Sequence, residues 1–361
     1  MKVVFKLIVI FHGLIHLLGF LKAFQLADIS QLQEIPKTIG IMWLSAAILF
    51  LLVFFLLAFR KDWWWIFGLI GTLLSQTLII FSWQEAKTGT VANIVILFVV
   101  ILAYGAWNFN RQAKKAMNLL QSEAMGFDRK VITEKMIEPL PLAVQKWFKI
   151  IGLVGSEEIN IVSFRQSGMM RLKPEQKEWY TAEAQQLVTI PRPAFIWKAN
   201  VKMNRLVYVA GKDIFYNGTG KMLMKLGSLI PVAHVEQNKK VNQSTLQRYM
   251  LELLLYPSAA LQPYMTWEDI DPTTAKATMT YKGTTGSATY HFNNEGELIK
   301  ISAMRYKDSD ESALPMECIA EIKEQTLVDG VKLPTKVEIS WMLKEGKFTW
   351  YTLTIHDIHF N

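Results

Sequence analysis

The stretch IGIMWLSAAILFLLVFFLLAF, residues 39–59, contains no Asp, Glu, Lys or Arg. At about 1.5 Å of rise per residue, a helix of about 20 residues crosses the roughly 30 Å hydrocarbon core of a bilayer. Working outward, residues 4–24, 63–83 and 91–109 are of similar length and equally apolar, with Lys6 and Lys22 near the ends of the first as their only charges. Hydrocarbon offers no water to backbone N–H and C=O groups, so such runs satisfy themselves as helices. The expectation is a membrane α-helical bundle of four transmembrane helices over residues 1–109, followed by a chain of ordinary soluble composition.

The whole-chain hydrophobic fraction of 51% blends these two parts, and the excess of 39 Lys and Arg over 31 Asp and Glu is shared between them. Neither part carries a basic stripe, so no nucleic-acid footprint is read. One cysteine, Cys318, excludes an intramolecular disulfide and any multi-cysteine metal site. The first apolar run is long for a secretory signal and lacks a small-x-small cleavage site, so it is read as a retained helix.

Flanking charges set an expected orientation. Lys2, Lys6, Arg60, Lys61, Arg111, Lys114 and Lys115 fall on one side of the four spans, and Lys22, Lys37 and Lys87 on the other. The positive-inside rule then places both the N-terminus and the C-terminal region in the cytosol of a multi-pass protein of the cytoplasmic (inner) membrane.

Polar residues inside the bundle are costly in lipid. His12 and His16 share one helix face at i, i+4 spacing, a geometry able to hold a metal ion or handle protons. No other histidine lies in the membrane part and no carboxylate accompanies the pair at membrane depth. Hydrogen bonding across the bundle to Gln76, Ser75, Thr72 or Asn93 is therefore the better supported reading, with Gly13 and Gly19 permitting close approach. Trp63, Trp64 and Trp65, after Arg60, Lys61 and Asp62, read as an interfacial aromatic belt. No metal or cofactor is called.

Residues 110–156 read as a juxtamembrane helical linker. RQAKKAMNLLQ continues the last helix, and Pro141 to Ile151 carries Val144, Trp147, Phe148 and Ile151 at helical spacing before Gly152. From residue 157 to 361 short runs alternate with period two between turn residues such as Asn217-Gly218, Asp329-Gly330 and Glu345-Gly346. Ten to twelve strands are expected, among them 159–165, 195–203, 274–281, 287–293, 297–305, 318–326, 335–343 and 347–356. One helix, about 242–256, is expected to start at the cap candidates Asn242, Gln243 and Ser244 and to end at Pro257. Its Leu246, Met250, Leu253 and Leu254 form an apolar face. Arg248 and Glu252, i, i+4 neighbours on another face, read as a solvated pair, or beside a cavity as ligand-orienting groups.

The phrases HGLIHLLGFLKAF, SWQEAKTGTVANIVIL, LPLAVQKWFKIIGLVG, RYMLELLLYPSAAL and FNNEGELIKISAMRY resemble those of an uncharacterised bacterial membrane family that joins a four-helix module to a β-rich C-terminal domain. The resemblance spans nearly the whole chain and implies architecture, with no activity attached. The β-rich part is similar in strand pattern to the half-barrel of lipoprotein-carrier proteins, in which a curved antiparallel sheet wraps apolar helices around a lipid-binding hollow. The fold class expected for residues 157–361 is thus α+β, dominated by a curved antiparallel sheet or half-barrel with one or two packed helices. Carriers of that kind work outside the cytoplasmic membrane, whereas the loop charges here point inside.

Within residues 206–236, Met222, Met224, Leu226, Leu229 and Ile230 suit an adaptable apolar lining, or equally a core strand followed by a buried loop. An enzyme reading finds little. His234, His291, His356 and His359 are scattered over strands, and alternation sets His356 on the face opposite Asp357, so this end reads as exposed polar residues. G-x-S-x-G, Walker, H-E-x-x-H and Rossmann patterns are absent. Gly283 to Gly286 reads as a hairpin turn. The resulting expectation is a membrane-anchored protein whose β domain binds a lipid or other apolar ligand without catalysis. A membrane assembly or partner-binding protein is the first alternative, and a histidine-dependent metal or redox membrane protein the second.

Overall fold

A computed structural model of the chain describes residues 2–29 and 33–361. Contacts divide it into two compact units, Met1–Arg111 and Gln112–Asn361.

In the first unit α1 (Lys2–Ala23), α2 (Lys37–Ala58) and α3 (Trp64–Phe81) are followed by the short α4 (Trp83–Ala86) and by α5, which runs Gly89–Ala124 through the division. All four long helices are long and apolar enough to cross a membrane, and only 22% to 39% of each apolar window is buried within the protein. Phe11, Ile48, Leu73, Ile94 and Phe98 are among the large side chains facing outward. An outer surface this apolar is costly in water and needs no polar cover in lipid.

Small residues set the helix spacing. A Cβ at Gly13 would lie 2.9 Å from Phe50 Cβ, and one at Gly19 would lie 2.5 Å from the Trp43 ring. The three consecutive indoles meet different surroundings. Trp64 packs inward with Val9, Phe50 and Val100, Trp65 packs against Tyr104 and Trp107, and Trp63 is the most exposed of the three.

The second unit begins with residues 112–124 of α5, then α6 (Glu134–Ile137) and α7 (Leu142–Ile150). Val144, Trp147 and Phe148 of α7 are buried in the main core, with Trp147 against Phe292. A single antiparallel sheet of thirteen strands follows. Its first half comprises β1 (Ile161–Met170), β2 (Tyr180–Thr189), β3 (Ala194–Lys202), β4 (Tyr208–Tyr216), β5 (Thr219–Leu226) and β6 (Ile230–Val235). The second comprises β7 (Met265–Asp271), β8 (Thr274–Tyr281), β9 (Thr284–Phe292), β10 (Leu298–Tyr306), β11 (Pro315–Val328), β12 (Val331–Leu343) and β13 (Gly346–Phe360).

The spatial order β6-β5-β4-β3-β2-β1-β13-β12-β11-β10-β9-β8-β7 joins two runs of hairpins through β1 and β13. Consecutive β6 and β7 therefore lie at opposite edges of the sheet. The segment between them carries α8 (Lys239–Leu251) and the 3-10 turns Leu253–Leu255 and Pro257–Leu261 across the concave face of the curled half-barrel. Buried tyrosines tie it down while keeping their hydroxyls bonded: Tyr249 donates to Thr189 O, Tyr256 to Tyr249 O and Tyr290 to Met250 O. The outer face of β1 to β4 is covered in turn by Ala113, Leu120 and Ala124, which pack on Ile161, Leu187, Ala194 and Ile196.

Three differences from the sequence reading have local causes. Residues 208–235 form three strands where one strand and a loop is the alternative to a lining, because Gly227 and Ser228 take left-handed φ of 58° and 62° and turn β5 back onto β6. The helix starts at Lys239 rather than 242. Asn238 is its cap, its side chain accepting from Lys240 N and Val241 N, while Asn242 and Ser244 bond outward to Gly220 N and Tyr306 O. At the chain end a bulge shifts the β1–β13 register between Ser163 and Arg165, and Asp357 has φ of 51°. Alternation breaks there, so Asp357 lies 3.4 Å from His356 Nδ1 and pairs with Arg165 at 3.5 Å instead of facing away.

Candidate functional site

Two constellations stand out, one in each unit. In the helical unit His12 and His16 are buried and hydrogen-bonded. The His12 carbonyl can only accept, so His16 Nδ1–H donates to it at 2.7 Å, leaving His16 Nε2 to accept from Ser75 Oγ at 2.8 Å. His12 Nε2–H donates to Asn93 Oδ1 at 2.9 Å, and Asn93 Nδ2 donates to Gln76 Oε1 at 3.0 Å. Gln76 in turn donates to Thr90 Oγ1 at 3.2 Å. The network links α1, α3 and α5. Among the described residues no three His, Cys, Asp or Glu side chains are grouped so as to hold a metal ion.

In the β unit a cavity of about 590 Å3 lies inside the curled sheet, between its concave face and α8. Strand alternation builds its wall. Trp197 on β3, Gly211 and Asp213 on β4 and Met222 and Met224 on β5 face inward, while Ile196 and Ile214 pack on the other side. A β-bulge at Trp350, where Ile339↔Tyr351 gives way to Ser340↔Thr349, keeps Phe348, Tyr351, Leu353 and Ile355 all lining the hollow. Gly211 matters for the width: a Cβ there would sit 2.7 Å from Met224 Sδ and 3.3 Å from the Trp197 ring.

One charged cluster sits against this apolar wall. Arg248 donates to Asp213 Oδ2 at 2.7 Å and to Glu252 Oε1 at 2.9 Å, and its guanidinium stacks over Phe195 and Trp197. Gln186 donates to the other Glu252 oxygen. The three charged side chains are only 17% to 20% exposed, so Arg248 and Glu252 are not the solvated pair that their spacing suggests. Two carboxylates gather around one guanidinium because the curled sheet brings Asp213 to the helix, which spacing along α8 cannot reveal.

Burial pushes the Asp213 carboxyl above the ordinary carboxylate range, outweighing the pull of Arg248 and Arg305. Burial also opposes the charge on Arg248, but Glu252 and Asp213 more than compensate and hold it charged. Asp213 Oδ1 is buried without a hydrogen-bond partner.

Of the lining residues expected from sequence, Met222 and Met224 line this cavity together with Arg248 and Glu252. Leu226, Leu229 and Ile230 fall at the β5–β6 turn and edge, outside the lining, and Ile230 is 61% exposed. Sequence reasoning missed Trp197, Asp213, Arg171 and Arg305. The one available signal was Asp213 itself, a charged residue two places from Phe215 in an apolar strand and thus on the same face.

The arrangement defines a class of protein: a curled antiparallel half-barrel that encloses an apolar hollow beneath a crossing helix. The chain belongs to a family of unknown function, DUF6920, whose pattern matches residues 138–360. A crystal structure of the LolA superfamily protein NE2245 from Nitrosomonas europaea aligns over 64% of this chain and 94% of its own, at 10% identity and a TM-score of 0.32. A likeness at that score carries no argument about ligand or activity. No functionally curated protein matches the sequence.

Proposed function

We propose that this is a membrane-anchored binding protein: the four apolar helices span the bilayer, and the β-rich domain takes up a lipid or other apolar ligand without changing it chemically. The observation that carries this reading is the cavity of about 590 Å3, lined mainly by aliphatic, aromatic and methionine side chains. Its volume falls within the roughly 300–1,000 Å3 of small-molecule sites. Methionines give such a wall the adaptability that a flexible acyl chain requires. The division of labour follows the two units, with Met222, Met224, Arg248 and Glu252 as the ligand-facing residues among those picked from sequence.

The loop charges, seven against three, favour the cytosolic side of a bacterial inner membrane for the β domain. Brief protease treatment of intact spheroplasts checks this: the domain should survive until the membrane is permeabilised, and prompt digestion from outside contradicts the placement. For binding, the test is lipid extraction of the full-length protein purified in detergent, compared with an unrelated four-helix membrane protein prepared alongside it. A stoichiometric apolar species enriched over that control supports the reading. An extract indistinguishable from the control contradicts it.

A further inference from the structure

Five cationic side chains line the cavity, and three of them are paired with carboxylates. Arg248 holds Asp213 and Glu252, Lys221 lies 3.2 Å from Glu236, and Lys307 lies 3.8 Å from Asp308. Arg171 and Arg305 differ. Arg171 donates from one terminal nitrogen to Thr349 O and stacks over Trp179 and Phe348. Arg305 donates to Ser244 O and to Cys318 Sγ and stacks over Trp341. None of these hydrogen-bond or stacking partners is a carboxylate, and Arg305 acts on Asp213 only through space. Phe348 and Trp341 are opposite one another in the β12–β13 register.

Stacking on a ring face holds a guanidinium flat and leaves its in-plane N–H groups for an oxyanion. At Arg171 this is more than a general tendency, because its Nε is buried with no hydrogen-bond partner. A second orphan donor is the buried Nε1 of Trp350, another residue of the cavity lining. The two residues are neighbours, joined by a backbone bond from Arg171 N to Trp350 O at 2.8 Å. Buried donors without acceptors cost free energy unless something supplies an acceptor.

We propose that the ligand is an amphiphile with an anionic head, a carboxylate or a phosphate, whose oxygens take the Arg171 and Trp350 donors with Arg305 as the flanking cation while its chain fills the apolar hollow. This rests on the reading that the cavity holds an apolar ligand, and it names the chemistry of that ligand's polar end.

A competition experiment on the full-length protein in detergent tests it. A neutral diazirine-bearing hexadecanol is photo-crosslinked, labelling is mapped to the peptides carrying Met222 and Met224, and palmitate, hexadecyl phosphate or unmodified hexadecanol is added as competitor. One of the acids should compete at about tenfold lower concentration than the alcohol, the scale of one charge-assisted hydrogen bond. Which acid wins names the headgroup. R171Q should weaken competition by the acid until it matches the alcohol, an outcome that mere structural support by Arg171, which would weaken both competitors alike, would not give. Should R171Q lose its fold, W350F decides in its place: a reduced preference for the acid is expected, and an unchanged one overturns the proposal. Equal competition by acid and alcohol in the wild type overturns the headgroup inference and leaves the apolar site standing. If the probe labels no cavity peptide, both fall.

Discussion

Asp213 shows how one residue couples the charge balance of the site to stability. Its carboxyl is held above the ordinary range mainly by burial, so the folded chain takes up this proton more readily than the unfolded chain. Stability then falls as pH rises from the unfolded value of about 4 toward the raised native value, and levels off above it. D213N should remove that slope. Unfolding midpoints followed by tryptophan fluorescence between pH 4 and 7 should rise for the variant relative to wild type as pH increases, whereas parallel profiles would show that Asp213 does not titrate there. Arg248 makes the larger difference. Its loss in R248A strands Asp213 and Glu252 beneath the helix, and breaking a buried pair in this way costs about 3–5 kcal/mol. Chemical denaturation should register that loss, and a variant within about 1 kcal/mol of wild type would mean the pair is effectively solvated.

At the scale of elements, regular patterning was legible and local exceptions were not. The four apolar runs correspond to long helices because a continuous run without charge leaves little else for the backbone to do. Hairpin turns at Asn217-Gly218 and Asp329-Gly330 were equally readable, since both residues of each pair adopt the left-handed φ that a tight hairpin demands. Asn238 and Asn242 illustrate the limit. Both are good caps by type, and the choice between them depends on β5, where Gly220 N claims the Asn242 side chain. The site was only partly visible for the same reason: Met222 and Met224 announce an apolar wall, but the meeting of Asp213 with Arg248 spans 35 residues and exists only once the sheet has curled. N238A should therefore cost about 1 kcal/mol, the usual worth of a helix cap, whereas N242A acts on the β5 edge and should leave helix content by circular dichroism unchanged. In the helical unit N93A removes the acceptor of His12 and the donor to Gln76. A loss of about 0.6–1.7 kcal/mol, the range for hydrogen bonds between membrane helices, should appear as a lower unfolding midpoint in detergent, and no change would mean the network is dispensable.

At the scale of the molecule, the two units dispose their apolar side chains in opposite ways. Residues before the division present apolar side chains outward, and residues after it turn apolar side chains inward around a hollow that the crossing segment leaves only partly filled. A protein selected for a solid core would gain by closing that hollow, since each missing methylene forfeits burial and packing. An open, methionine-lined cavity is accordingly the feature through which function is read. Gly211 is a point at which it can be narrowed, because the first atom that an added side chain meets is the Met224 sulfur, 2.7 Å from the Cβ. Native mass spectrometry of the full-length protein, wild type beside G211V, is the most direct measurement. A binding cavity predicts an apolar mass on the wild type that is lost or sharply reduced in a folded G211V. Wild-type protein carrying no such mass, or both proteins carrying it equally, would contradict ligand binding in the half-barrel.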